Sequence, residues 1–326
     1  MFRTLLTLAI CVSLWVPTNS SQAQQGGKVS SLSKKAKRIL WSSKTDRPKT
    51  RRRHYYKTNE SRHDLFRPHL LNKGGGYIGV ASSQNYNMIA WARSDFAWLI
   101  DFDDGIQDIH LIHRAFLLKS STSDSFMKKW SNSKVRSSVA LLNKTYKSHK
   151  NRRRIVRIFR RFQRRMYRHM VSRYKGRLGK KYPNWLNRPS SYRYIRQMYQ
   201  QDRIRVLFGN LLGNVTLRAI GKAAKKVNIP IRVVYLSNAE EWFFYRKSFR
   251  RNIRSLPMDK KSVIIRTMWE KNFQPRASDD WQYNVQSGLH FQKMLKSRKN
   301  RAVYSLSPWM FLGKKWGITL IDVPLR

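Results

Sequence analysis

Gly79, Gln84, Asn85, Asp101 and Asp103 are the residues whose types and spacing suggest chemistry most directly. Tyr77-Ile78-Gly79-Val80-Ala81 reads as a short buried strand, and Ser82-Ser83-Gln84-Asn85 as a turn opening a helix. Backbone N–H groups at such a helix start can hold a phosphate or a carboxylate. Asp101 follows Gly79 by 22 residues, close to the spacing at which a strand-end acid meets a ribose hydroxyl. Gly79, Ala81 and Gln84 stand at the three glycine places of a G-x-G-x-x-G turn, so one glycine of the fingerprint is kept. Two readings stay open: a nucleotide turn, or an α/β sheet that binds no nucleotide.

Other constellations are sparser. Asn210, Asn238 and Glu240 follow expected strand ends and are candidates for the same cleft. Glu240 or its neighbour Glu241 is placed to act as a general base, or simply to begin a helix and favour its dipole. Asp108, His110 and His113 fall on one expected helix, with Asp101, Asp103 and Asp104 just before it, but a transition-metal site needs three or four convergent ligands. No metal is expected. G-x-S-x-G, HExxH and Walker patterns are absent, which leaves hydrolase mechanisms without a sequence basis.

The elements that must position these residues alternate. Strands are expected at 77–81, 96–100, 205–210, 231–236, 263–267 and 318–323, with helices at 86–93, 109–117 and 215–227. Strands covered on both faces of a parallel sheet are continuously apolar, as these are. The fold class is therefore α/β, a Rossmann-like, mostly parallel sheet. Residues 122–203 read as a basic helical insertion. Ile155, Phe159, Phe162, Met166 and Met170 recur at helical steps through residues 151–174, among ten arginines.

Charge dominates the composition: 68 Lys and Arg against 17 Asp and Glu give a formal net charge of +51. Net charge of this size speaks to polyanion binding rather than to fold. Residues 1–23 read as a cleaved signal peptide, with Arg3, an apolar run to Val16, and Ser21-Gln22-Ala23 as the cleavage site. The expected localisation is therefore export, periplasmic or secreted. Cys11, the only cysteine, lies inside that segment, so the mature chain has no thiol chemistry. Residues 24–73 hold 15 bases and three acids and read as a basic disordered arm or a solvated linker, ahead of a domain spanning 74–326.

Candidate polyanion contacts are Arg51, Arg52 and Arg53 in the arm. Along the helical region they are Arg152, Arg153, Arg154, Arg157, Arg160, Arg161, Arg164, Arg165 and Arg168. No DNA- or RNA-reading motif accompanies them, so the partner class extends from nucleic acid to lipopolysaccharide, anionic membrane surface and acidic envelope polymers. After the first residues no apolar stretch is long enough to cross a membrane.

The blocks GYIGVASSQNYNMIAWARSDFAWLIDFDD and RVLFGNLLGNVTLRAIGKAAKKVNIPIRVVYLSNAEEWFFY resemble a family of uncharacterised bacterial proteins that includes a Leptospira hypothetical protein. The core of that family is similar to S-adenosylmethionine-dependent methyltransferases, and the likeness covers roughly a third of the chain. The resemblance implies a Rossmann-like scaffold and makes S-adenosylmethionine a possible cofactor, with no catalytic residues to carry over. Relatives tend to carry Gly where Ala81 stands and Asp-Ile-Arg where Asp101-Phe102-Asp103 stand. S-adenosylmethionine is kept in the cytoplasm, whereas this chain reads as exported. The expectation is thus a non-catalytic, methyltransferase-like protein that binds polyanions and needs no cofactor. The alternative is an active transferase using the cleft at the strand carboxyl ends.

Overall fold

The computed structural model describes residues 29–47, 54–176, 181–269, 281–306, 314–315 and 317–322. The 1–23 segment and Arg51, Arg52 and Arg53 lie outside the described residues.

An eight-stranded sheet organises the chain. The elements run α1 (Lys34–Trp41), α2 (Arg67–Leu70), β1 (Gly76–Gly79), α3 (Asn85–Ala92), β2 (Phe96–Asp101) and α4 (Asp104–Leu118). Four helices follow: α5 (Ser123–Lys128), α6 (Val135–Thr145), α7 (Arg152–Lys175) and α8 (Pro189–Gln200). The chain returns through β3 (Ile204–Phe208), α9 (Thr216–Lys226), β4 (Ile231–Ser237), α10 (Lys247–Arg254) and β5 (Val263–Trp269). It closes with β6 (Trp281–Ser287), α11 (Gly288–Met294), β7 (Lys314–Lys315) and β8 (Ile318–Ile321).

The strand order is β3-β2-β1-β4-β5-β6-β8-β7. β1, β2, β3, β4 and β5 are mutually parallel, and β6 turns antiparallel to β5. This is a Rossmann-like α/β arrangement, as the alternation of strands and helices predicts. The strands bury both faces, so one apolar cluster lies on each side of the sheet. Tyr77, Leu99, Tyr235 and Ile265 face the cluster built with α3, α4, α7 and α8. Ile78, Trp98, Val234 and Ile264 face the other, with α1, α9, α10 and α11. The periodic stripe of α7 docks as expected: Ile155, Phe159, Phe162, Met166 and Met170 are buried in the first cluster.

The arm departs from expectation. Across its described residues it is neither disordered nor merely solvated. α1 packs Leu40 into the second cluster, and Phe66 and Leu70 are fully buried in the first. Burial of these apolar side chains at about 25 cal/mol per Å² outweighs the basic composition around them. The folded unit therefore begins well before Gly74.

Candidate functional site

Open parallel sheets bind ligands beyond the strand carboxyl ends, where the strand order reverses. Here that point lies between β1 and β4. The β1–α3 turn is built from internal bonds. Asn85 Nδ2 donates to the carbonyls of Val80 (2.8 Å) and Ser82 (2.6 Å), and its Oδ1 accepts from the Tyr77 hydroxyl at 2.7 Å. Gly79 makes room for this: a Cβ there would stand 1.9 Å from Asn85 Oδ1. Asp101 turns its carboxylate onto the same loop, accepting from Ala81 N at 3.1 Å and from Asp103 N at 2.9 Å. Burial pushes its carboxyl up to about 6, against the pull of these backbone bonds. Asp103 caps α4 through Gly105 N (2.8 Å) and meets His54 Nδ1 at 2.7 Å. The fold places Gly79, Asn85, Asp101 and Asp103 around one turn, with their polar groups directed at one another and at the turn's own backbone.

The arm supplies carboxylates where an anionic ligand would be expected. Asp46 sits at the start of α9 and accepts from the backbone N–H groups of Asn210 (3.2 Å), Val215 (3.1 Å) and Thr216 (3.3 Å). That is the place at which a helix N-terminus would take a phosphate. Asn210 is accordingly a turn residue, its Oδ1 accepting from Leu212 N at 2.9 Å. Asn238 precedes a 3-10 turn, Ala239–Trp242, without a side-chain cap bond. Glu240 is no cleft base: it is buried, ion-paired to Arg266 and bonded to the Tyr245 hydroxyl at 2.6 Å.

Glu60 sits one strand further along than the reversal point, on side chains of β4 and β5. Its carboxylate accepts from His63 Nε2 (2.5 Å), Ser237 Oγ (2.7 Å), Thr58 Oγ1 (3.2 Å), and the hydroxyls of Tyr235 and Thr267. Burial alone would raise its pKa. The bond and charge of His63, helped by the Thr267 and Tyr235 hydroxyls, override that and bring it down to about 2. Glu60 is one of only four glutamates in the chain, and it stands three residues before His63. That i, i+3 pair was the one local sign of this centre.

His63 opens onto a cleft of about 60 Å³ between the β1–α3 turn, the end of α7 and the segment around Asn184. Gln84, His169, Arg173 and Tyr182 also line it, with Trp91 and Trp185. Of the expected site residues, Gln84 alone reaches this cleft. Its Oε1 is buried without a hydrogen-bond partner. Burial, then the charges of Arg173, Lys57 and His63, lower His169 to about 4.

Metal-type groupings are otherwise engaged. His54, Asp103 and Asp104 lie close enough to share an ion, yet Arg154 already bonds Asp104 at 2.5 Å and Asp108 at 2.6 Å. His110 bonds the Tyr86 hydroxyl (2.9 Å) and the Ala81 carbonyl (2.9 Å). His113 is buried among rings with neither nitrogen bonded.

Seven of the arginines expected to meet polyanions, Arg153, Arg157, Arg160, Arg161, Arg164, Arg165 and Arg168, are exposed along α7. Arg152 is half-buried, and Arg154 is withdrawn into the pair of acids on α4. No described helix is long and apolar enough to cross a membrane.

A family model described as Domain of unknown function (DUF7790) matches residues 55–312. No curated protein matches the chain.

Proposed function

We propose that this chain, which belongs to the DUF7790 family, is an exported, non-catalytic protein that binds polyanions through the outer face of α7. Its helices α5 to α8 act as a basic insertion carrying that face. The observation that carries the reading is the row of exposed arginines from Arg153 to Arg168, about 22 Å of helix. Among the described residues no carboxylate pairs with any of them, while the inner face of the same helix is locked into the core. A rigid, one-sided array of guanidinium groups neutralises several phosphates or sulfates at once, and releasing their counterions drives binding. Nucleic acid, lipopolysaccharide and acidic envelope polymers share this chemistry. The test is a salt titration of binding to heparin and to duplex DNA. Affinity should fall by roughly a thousandfold between about 50 and 200 mM salt. Retention on heparin no stronger than that of a neutral protein overturns the reading.

The second reading is an S-adenosylmethionine-dependent transferase. The parallel order β3-β2-β1-β4-β5, with its reversal between β1 and β4, favours it. The residues present do not fit the cofactor. Asp101 has both oxygens on backbone N–H groups, and the Glu60 carboxylate is engaged by side chains of β4 and β5. The cleft of about 60 Å³ is far below the roughly 300 Å³ at which cofactor pockets begin. Calorimetry with S-adenosylhomocysteine decides: a micromolar signal lost in Asp101→Ala would restore this reading.

A further inference from the structure

We propose that the tip beyond β4, from Trp242 to Lys247, docks on the surface of an anionic lipid bilayer, separately from the outer face of α7. Its sequence, WFFYRK, alternates in the structure. Phe243 is extended, with φ −157° and ψ 154°, so the side chains on either side of it point the same way. Phe243 and Tyr245 turn inwards onto the Phe249 ring, at 5.1 and 4.9 Å. Trp242 and Phe244 turn outwards and stay 82% and 69% exposed. Trp269, 55% exposed, ends the neighbouring strand β5 and meets the same turn, its backbone N–H donating to Glu241 Oε1 at 2.7 Å. The 3-10 turn Val303–Leu306 packs against Ala239–Trp242 and adds Tyr304, 51% exposed. Single exposed rings are ordinary, but a cluster of them marks a surface that meets an apolar phase or a partner.

The charge around these rings selects the phase. Arg246 and Lys247 follow Phe244 directly and are exposed. Arg250 fixes a second basic segment beside them. Its guanidinium donates to the carbonyls of Leu295 (2.9 Å), Ser297 (2.7 Å) and Asn300 (2.5 Å), and the Arg301 carbonyl accepts from Tyr245 N at 2.6 Å. Arg298, Lys299 and Arg301 are exposed on that segment. Among the described residues the exposed acids are Asp124 and Asp322, and both lie elsewhere. Asp322 follows β8, which runs opposite to β5, and Asp124 follows α4, which leads away from the end of β2. Two copies of a chain with a formal charge of +51 repel each other, so a second copy is a poor cover for the rings. Single-stranded nucleic acid stacks on rings set along a groove, whereas these project from a tip. A bilayer surface answers both features: Trp and Tyr rings lodge between headgroups and acyl chains, and the bases beside them meet anionic headgroups.

The test mixes the full chain with vesicles of phosphatidylglycerol and phosphatidylcholine whose acyl chains are brominated. Bromine quenches the indoles that enter the acyl layer, so the emission should fall. The chain has 11 tryptophans, and the share of Trp242 is read by difference: Trp242→Phe should keep cosedimentation with the vesicles and lose part of the quenching. Trp242→Ser combined with Phe244→Ser should weaken cosedimentation by about tenfold. Its urea midpoint and its heparin affinity should match those of the unsubstituted chain, so this contact and the face of α7 fail separately. Vesicles of phosphatidylcholine alone should bind more weakly. Equal quenching in the unsubstituted chain and in Trp242→Phe, or undiminished cosedimentation of the double variant, overturns the proposal. Quenching by oligothymidylate that the double variant loses would assign the rings to base stacking instead, and dimerisation that it loses would assign them to a second copy; either result also overturns it.

Discussion

Arg266 and Glu240 form an ion pair sealed inside the protein: Nε donates to Oε2 at 2.5 Å, and neither side chain is more than 1% exposed. Gln286 Oε1 accepts from Nη1 at 2.8 Å and the guanidinium lies over the Phe291 ring, while Nη2 is buried with no hydrogen-bond partner among the described residues. Removing one member leaves the other charged, buried and unpaired. Glu240→Ala should therefore destabilise the fold by about 3–5 kcal/mol. Replacing both, as Glu240→Leu with Arg266→Met, should cost clearly less than Glu240→Ala alone. Urea midpoints of the three chains check this, and a double variant as weak as the single one would refute the account.

The acid limb of stability belongs to Glu60. Its folded pKa of about 2 lies below the ordinary glutamate value of 4.5, so its contribution is present above about pH 4.5. That contribution is lost as pH falls from there towards 2, up to roughly 3 kcal/mol in all. Glu60→Gln should be less stable at pH 5 and show a flatter urea midpoint between pH 4.5 and 2.5. A wild-type profile no steeper than the variant's would assign the acid limb elsewhere.

Asp101 works in the opposite direction. Burial pushes its folded carboxyl up to about 6 from an ordinary value of 3.8, so the native state holds this proton more tightly than the unfolded chain. Stability should decline as pH rises from about 4 to 6 and level off above. Carboxyl carbon NMR should place the Asp101 midpoint near 6. Asp101→Asn should flatten the decline, although Asp108, also pushed up to about 6 by burial, retains part of it.

The parallel strands were legible because both of their faces are buried, which makes Phe96–Asp101 and Ile231–Ser237 continuous apolar runs. β6 was not. Its sequence, WQYNVQS, puts Gln282, Asn284 and Gln286 inside, where Gln282 bonds Thr319 and Gln286 bonds Arg266. The alternation of WQYNVQ describes a strand with one face in water, whereas here the polar face is buried as well. The centre at Glu60 was hidden for a related reason: its partners Tyr235 and Thr267 are 175 and 207 residues away, inside an arm whose basic composition reads as solvated. Local pattern located the turn at Gly79 and Asp101, but not what fills the space beyond it.

Ala81 holds a left-handed backbone, with φ at +66°, at the end of the β1 turn. A Cβ in that region costs about 1 kcal/mol, which glycine avoids. Ala81→Gly should raise stability by roughly 1 kcal/mol and Tm by about 2 °C, with the turn unchanged. A lowered Tm would show that the methyl group is held by packing stronger than its strain.

Arg154 and Arg164 are ten residues apart on α7 and should behave as opposites. Arg154 is held at 2.5 and 2.6 Å by Asp104 and Asp108, whose side chains are almost wholly buried, whereas Arg164 is exposed. Arg154→Gln leaves two buried carboxylates facing one another and should destabilise the fold by about 2 kcal/mol. Its effect on polyanion affinity should be small. Arg164→Gln should leave the urea midpoint unchanged and reduce the slope of log affinity against log salt by about 0.9 for duplex DNA. Measuring both variants in both assays separates the arginines that hold the helix from those that face the partner. If Arg154→Gln reduced the salt slope as much as Arg164→Gln does, the division of α7 into an inner and an outer arginine set would be wrong.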